Sequence, residues 1–136
     1  MRALATILVA SAFGIAAARA TPAEELAICI KAAAATDHVD VKDVDRGGCE
    51  CATKQLRSSL KPGDFALHER MLEIIASGAD QKTGEKQLSD VMLQRGMTQR
   101  DADAFFTRVN AAQEKAQEIC NPSPLLPPQT VPKNGQ

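Results

Sequence analysis

Residues 98–120, TQRDADAFFTRVNAAQEKAQEIC, decide the fold. The apolar members Ala102, Phe105, Val109, Ala112, Ala116 and Ile119 recur every three or four positions. That spacing collects them on one face of a helix, whereas a strand would scatter them over both faces. Thr98 can cap the first turn with its hydroxyl, and Asp101 stands three residues on, where an acidic partner belongs. The pattern predicts a helix from Thr98 to about Cys120.

Outward from this segment the same period returns. Residues 83–95 place Leu88, Val91 and Met92 inside and stop at Gly96. A helix ending near Ser77 carries Phe65, His68, Met71, Leu72 and Ile75, after the break Lys61-Pro62-Gly63. A shorter one over 49–60 aligns Cys49, Ala52, Leu56 and Leu60. Thr21-Pro22-Ala23-Glu24 has a capping hydroxyl, a proline at the first helical position and a glutamate where a capping box needs one. Leu26, Cys29, Ile30 and Ala33 then form a face that fades at Thr36-Asp37. Residues 37–45 come nearest to strand-like alternation, but their apolar members are only Val39, Val41 and Val44. The expected fold is all-α, a small bundle of four to five helices over residues 21–120.

Both flanks differ in character. Arg2 precedes an uncharged, mostly apolar run from Ala3 to Ala18, and Ala18-Arg19-Ala20 has the small-x-small form of a cleavage site. Sixteen residues fall short of the roughly 20 that span a bilayer. Residues 1–20 therefore read as a cleaved secretory signal peptide. Residues 121–136 hold five of the seven prolines and read as a disordered, polyproline-like tail.

Charge and composition exclude several functions. The chain of 136 residues balances 16 Lys+Arg against 17 Asp+Glu and has no Trp or Tyr. It lacks the basic footprint and the stacking aromatics of a nucleic-acid binder. Loss of the leader would remove Arg2 and Arg19 and no acidic residue, leaving the domain more acidic.

The four cysteines, Cys29, Cys49, Cys51 and Cys120, point to two disulfides in an exported chain and thus to an oxidising compartment, periplasmic or extracellular. A Cys49–Cys51 ring would be strained. On a helix Cys49 joins the Leu56 face and Cys51 turns away from it, so the two suit different partners. The preferred pairing is Cys29–Cys49 with Cys51–Cys120; the swapped pairing is the alternative. The C-x-C element also admits thiol redox chemistry or copper handling, with His68 and Met71 one turn apart.

A second constellation is the loop 36–48, where Asp37, Asp40, Asp43 and Asp45 lie within nine residues. Carboxylates so grouped suit a hard cation, calcium or a lanthanide, with further ligands from water or a second protomer. The D-x-D-x-D-G run of an EF-hand is missing, and Lys42 and Arg46 neutralise part of the charge. An ordinary solvated acidic loop is the simpler expectation.

Catalytic signals are sparse. The sequence contains no G-x-S-x-G, no H-E-x-x-H and no phosphate-cradling glycine loop. Glu69 and Glu73 beside Arg70, and Glu114 and Glu118 beside Lys115, read as solvated helix faces. The expectation is a non-catalytic binding or accessory protein, a monomer or weak homodimer whose ligand is a protein or a metal ion.

Overall fold

The computed structural model describes residues 20–121; the expected leader and almost all of the expected tail lie outside them. The described chain forms α1 (Pro22–Asp37), a 3-10 turn (Val41–Asp43), α2 (Arg46–Ser59), α3 (Pro62–Ala76), α4 (Gln81–Gln94) and α5 (Gln99–Cys120). The all-α expectation holds, with two disulfides. Among the described residues no helix is long and apolar enough to cross a membrane.

Two of the helix starts are built as their sequences imply. Thr21 Oγ1 accepts from the Glu24 N–H at 3.3 Å, while Glu24 Oε2 accepts from the Thr21 N–H at 2.7 Å. Thr98 and Asp101 make the same reciprocal pair at 3.2 and 2.8 Å. Each box satisfies two donors that a helix start otherwise leaves open. Gly96 ends α4 with a φ of 69°, a left-handed conformation that costs glycine little.

Three expectations need correction. Helix α2 begins at Arg46, not at Cys49, so Gly47 and Gly48 lie in its first turn. A Cβ on Gly48 would come within 2.7 Å of Asp45 Oδ2. The glycine leaves room for that carboxylate beside the positive end of the helix, where negative charge is favoured.

On α1 the face Leu26, Cys29, Ile30 and Ala33 is only half-buried; Glu25, Ala32 and Ala34 go deeper. Glu25 is 6% exposed and forms an ion pair with Arg57 of α2, which makes burial of its charge tolerable. On α3, Leu67 and Ile74 are buried and Ile75 is exposed. That helix packs against α1, α2, α4 and α5, so it buries more than one stripe.

The packing is pairwise: α1 lies against α3 and α2 against α5, while α1 also touches α2 and α4 rests on α3. The main core gathers Leu56, Leu60, Phe65, Leu67, Met92, Phe105, Val109, Ala112 and Ala116, from α2 through α5. Arg108 of α5 donates to both carboxylate oxygens of Asp64 at the start of α3, at 2.7 and 2.9 Å. Those hydrogen bonds hold the Asp64 carboxyl below its ordinary value, against the upward push of burial.

Cys29 of α1 bonds to Cys49, and Cys51 bonds to Cys120 at the end of α5, each with a Cα–Cα distance of 5.8 Å. This is the preferred pairing and not the swapped one; Cys49 and Cys51 bond to different partners, as their divergent directions imply. One helix thereby carries both crosslinks.

The Glu25–Arg57 pair yields a prediction. Arg57→Met strands a buried carboxylate and should destabilise the domain by about 2 kcal/mol. Adding Glu25→Leu should recover most of the loss, because two apolar groups leave no stranded charge. Urea denaturation of both variants checks it; equal stability of the single and double variants would deny the pair its role.

Candidate functional site

The sequence-derived metal candidates sit on three successive elements and do not close on a single cation position. Asp37 closes α1, Asp40 and Asp43 belong to the 3-10 turn, and Asp45 stands at the start of α2. Asp40 accepts from the Lys42 N–H at 3.3 Å and lies 3.8 Å from Lys42 Nζ, so it serves the turn. Among the described residues no group of three or more His, Cys, Asp and Glu side chains could hold a metal ion. Carboxylates distributed over three successive elements do not form the oxygen cage that calcium requires.

The cysteine-based alternatives fare similarly. No cysteine remains a thiol, and Cys49 and Cys51 are bonded to different partners and not to each other. A soft metal held by Cys49 and Cys51 would need their thiolates, which these disulfides do not offer. His68 and Met71, the other half of the copper reading, face different spaces: each lines a separate cavity.

What the fold does build is a cavity of about 760 Å³ walled by α1, the turn, α2, α3 and α5. Cys29 and Cys49 lie in one part of its wall and Cys120 in another, so both crosslinks help to fix its shape. Ala33, Val39, Val44, Ala52, Leu56 and Leu72 supply apolar surface. Asp37, Asp43, Asp45 and Glu114 supply four carboxylates, and no Lys or Arg lines the cavity among the described residues. Three of the four loop aspartates thus reach one space, together with Glu114 of α5, which is remote from them along the chain.

The α5 contribution follows from a second periodic stripe. Asn110, Gln113, Glu114 and Gln117 recur at helical spacing beside the apolar stripe Phe105, Val109, Ala112 and Ala116. The apolar stripe enters the core, and its polar neighbour faces the cavity. That signal was present in the sequence, but it looks like any solvated helix face.

His68 is the deepest polar group of the wall, 2% exposed. The Gln113 amide nitrogen lies 3.3 Å from its Nε2; with the amide in this orientation Nε2 accepts, which assigns the ring proton to Nδ1. Nδ1 has no hydrogen-bond partner among the described residues. Burial holds the imidazole below its ordinary pKa of 6.5, so the ring is neutral at pH 7.

The sign of the resulting pH dependence follows. Below about pH 6.5 the unfolded chain takes up a proton that the folded chain refuses. Stability is therefore full above that value and falls as the pH drops toward the lowered folded value. His68→Gln should flatten this acid-side slope, read from urea midpoints at about pH 7.5 and about pH 5. A slope that survives the substitution would have to come from other groups.

A second cavity, of about 650 Å³, offers a contrast. Arg57, Arg70 and Arg95 line it opposite Glu25, Glu69 and Glu73, so its charges balance. Arg70 and Glu73 pair on the surface at 2.6 Å, as a solvated face should. Glu69 departs from that reading: it is half-buried, and its Oε1 has no partner. Burial pushes its carboxyl up, opposed by Arg57 and reinforced by Glu73. The Arg57 guanidinium also lies 5.5 Å from the centre of the Phe65 ring. Here Arg57 and Arg70 already have acidic partners, whereas the four acids of the first cavity form no ion pair among the described residues.

No family model, no curated protein and no solved structure matches the chain.

Proposed function

We propose that the chain works as an exported, non-catalytic binding protein with the acid-rimmed cavity as its ligand seat. Two disulfides suit an oxidising environment outside the cytosol. The leader-like residues 1–20 favour delivery by a cleaved signal peptide, and the bacterial periplasm is the compartment that matches both features. A volume of about 760 Å³ lies within the range of small-molecule sites, roughly 300–1,000 Å³. The observation that carries the reading is convergence. Four carboxylates and a buried histidine, from α1, the turn, the start of α2, α3 and α5, line one partly apolar space whose walls are crosslinked.

The test uses the oxidised chain incubated with a periplasmic extract and examined by native mass spectrometry. An adduct of small-molecule mass is expected on the wild type. Ala52→Phe, which extends a side chain into the seat, should remove it while the helical signal and both disulfides remain. An adduct equally abundant on wild type and variant, or none on either, would overturn this assignment of the seat.

A further inference from the structure

Resting on that reading of the seat, we infer that its ligand is an amphipathic organic cation, a protonated amine or amidine on an apolar body. The first ground is the sign of the charge. Asp37, Asp43, Asp45 and Glu114 line the cavity without a lining cation, and none of the four forms a salt bridge among the described residues. A cleft lined by one sign of charge concentrates counter-ions of the other sign. The neighbouring balanced cavity shows that this is no general property of the molecule.

The second ground is the floor. Leu56, Leu72, Ala33 and Ala52 offer apolar contact and no oxygen ligands. Calcium takes about six to eight oxygens, and an inorganic ion would leave the apolar surface uncovered. An organic cation meets both demands, its charged head at the carboxylate rim and its body against the floor. Val39, 45% exposed at the rim, is surface that such a body would cover.

His68 does not add a third ground. With Gln113 on Nε2, its Nδ1–H is a buried donor in the cavity wall without an acceptor. Buried polar groups are nearly always paired. Yet Nδ1 is sealed from the cavity, with less than 1 Å² exposed, so a ligand oxygen would reach it only after a side-chain shift in the wall.

The chain has no Trp or Tyr, so its own emission does not mask a naphthyl probe. Three probes share one ring system and differ in charge: 1-naphthylmethylammonium, 1-naphthylmethanol and 1-naphthoate. Fluorescence anisotropy on the oxidised full chain should rank the ammonium at least tenfold tighter than the alcohol, with the carboxylate weakest. Asp37→Asn/Asp45→Asn/Glu114→Gln should bring the ammonium down to the alcohol's level and leave the alcohol unchanged. These positions are exposed and asparagine can also cap a helix, so the variant should fold, and circular dichroism checks that it does.

Binding of the carboxylate as tight as that of the ammonium, or ammonium binding unchanged in the triple variant, would overturn the cation inference. The seat itself would survive that result if Ala52→Phe still abolished probe binding. Absence of binding by all three probes at millimolar concentration would overturn the inference, and the adduct experiment would then decide on the seat separately.

Discussion

Replacing Cys51 and Cys120 together by alanine is expected to destabilise the domain by about 4 kcal/mol. The bond spans 69 residues of sequence and closes a loop that contains most of α2, all of α3 and α4, and nearly all of α5. In the loop-entropy model the loss comes from the unfolded chain, which gains the freedom that the crosslink denied it. For a domain of this size, each kcal/mol moves the thermal midpoint by roughly 4–8 °C. The midpoint should therefore drop by about 15–30 °C, and chemical denaturation should show the loss with α2 and α5 melting together. An unchanged midpoint would mean that the packing of α2 on α5 alone sets the stability. Cys29–Cys49, with a separation of 20, closes a smaller loop and should contribute about 3 kcal/mol.

Phe105→Ala is the other change with a large expected effect. Phe105 is 0% exposed, on the stripe of α5 that enters the main core. With four Phe and no Trp or Tyr in the chain, aromatic volume in this core is scarce. Truncation to alanine should cost about 3–5 kcal/mol, through lost transfer energy and the void left behind. Domains of ordinary stability have only about 5–15 kcal/mol to lose. Phe106, its edge-on neighbour with ring centres 5.3 Å apart, is 36% exposed, and the alanine variant there should lose about 1 kcal/mol. A small effect at Phe105 with a large one at Phe106 would place the core on the other side of α5.

These estimates rest on features that were legible in the sequence to different degrees. The capping residues at Thr21 and Thr98 and the period of α5 were plain, because they are local. That Cys49 and Cys51 take different partners was legible because two cysteines two positions apart on a helix diverge by geometry; which of them joins Cys29 and which Cys120 is settled by the packing of α1 and α5 around α2. The start of α2 was obscured: Gly47-Gly48 carries the composition of a loop, and Asp45 at the N-cap makes no side-chain capping hydrogen bond that would mark a helix start. The buried faces of α1 and α3 were misjudged for non-local reasons. Glu25 is buried because of Arg57, thirty-two residues away, and α3 has neighbours on several sides. The seat was hidden for the same reason. Asp37, Asp43 and Asp45 stood out as a group, yet Glu114 and His68 join them only through the packing of α5 and α3. Read along the chain, the aspartates suggest a metal; read in space, they border an apolar floor.

The placement of Cys49 and Cys51 on one turn of α2 also fixes how the domain would bear a mechanical load. Tension applied between Ala20 and Asn121 would run along α1 to Cys29, cross to Cys49, pass through Glu50 to Cys51, and cross again to Cys120. The 3-10 turn, α3, α4, and nearly all of α2 and α5 would hang outside that path. The contour available for stretching is limited to a few short segments while both bonds stand, so an oxidised molecule pulled by its ends would behave as a short tether. Reduction would release the whole bundle into the line of force. The same shortcut means that a protease cutting between α3 and α4 would separate no fragment, since both products would stay joined through sulfur to the start of α2.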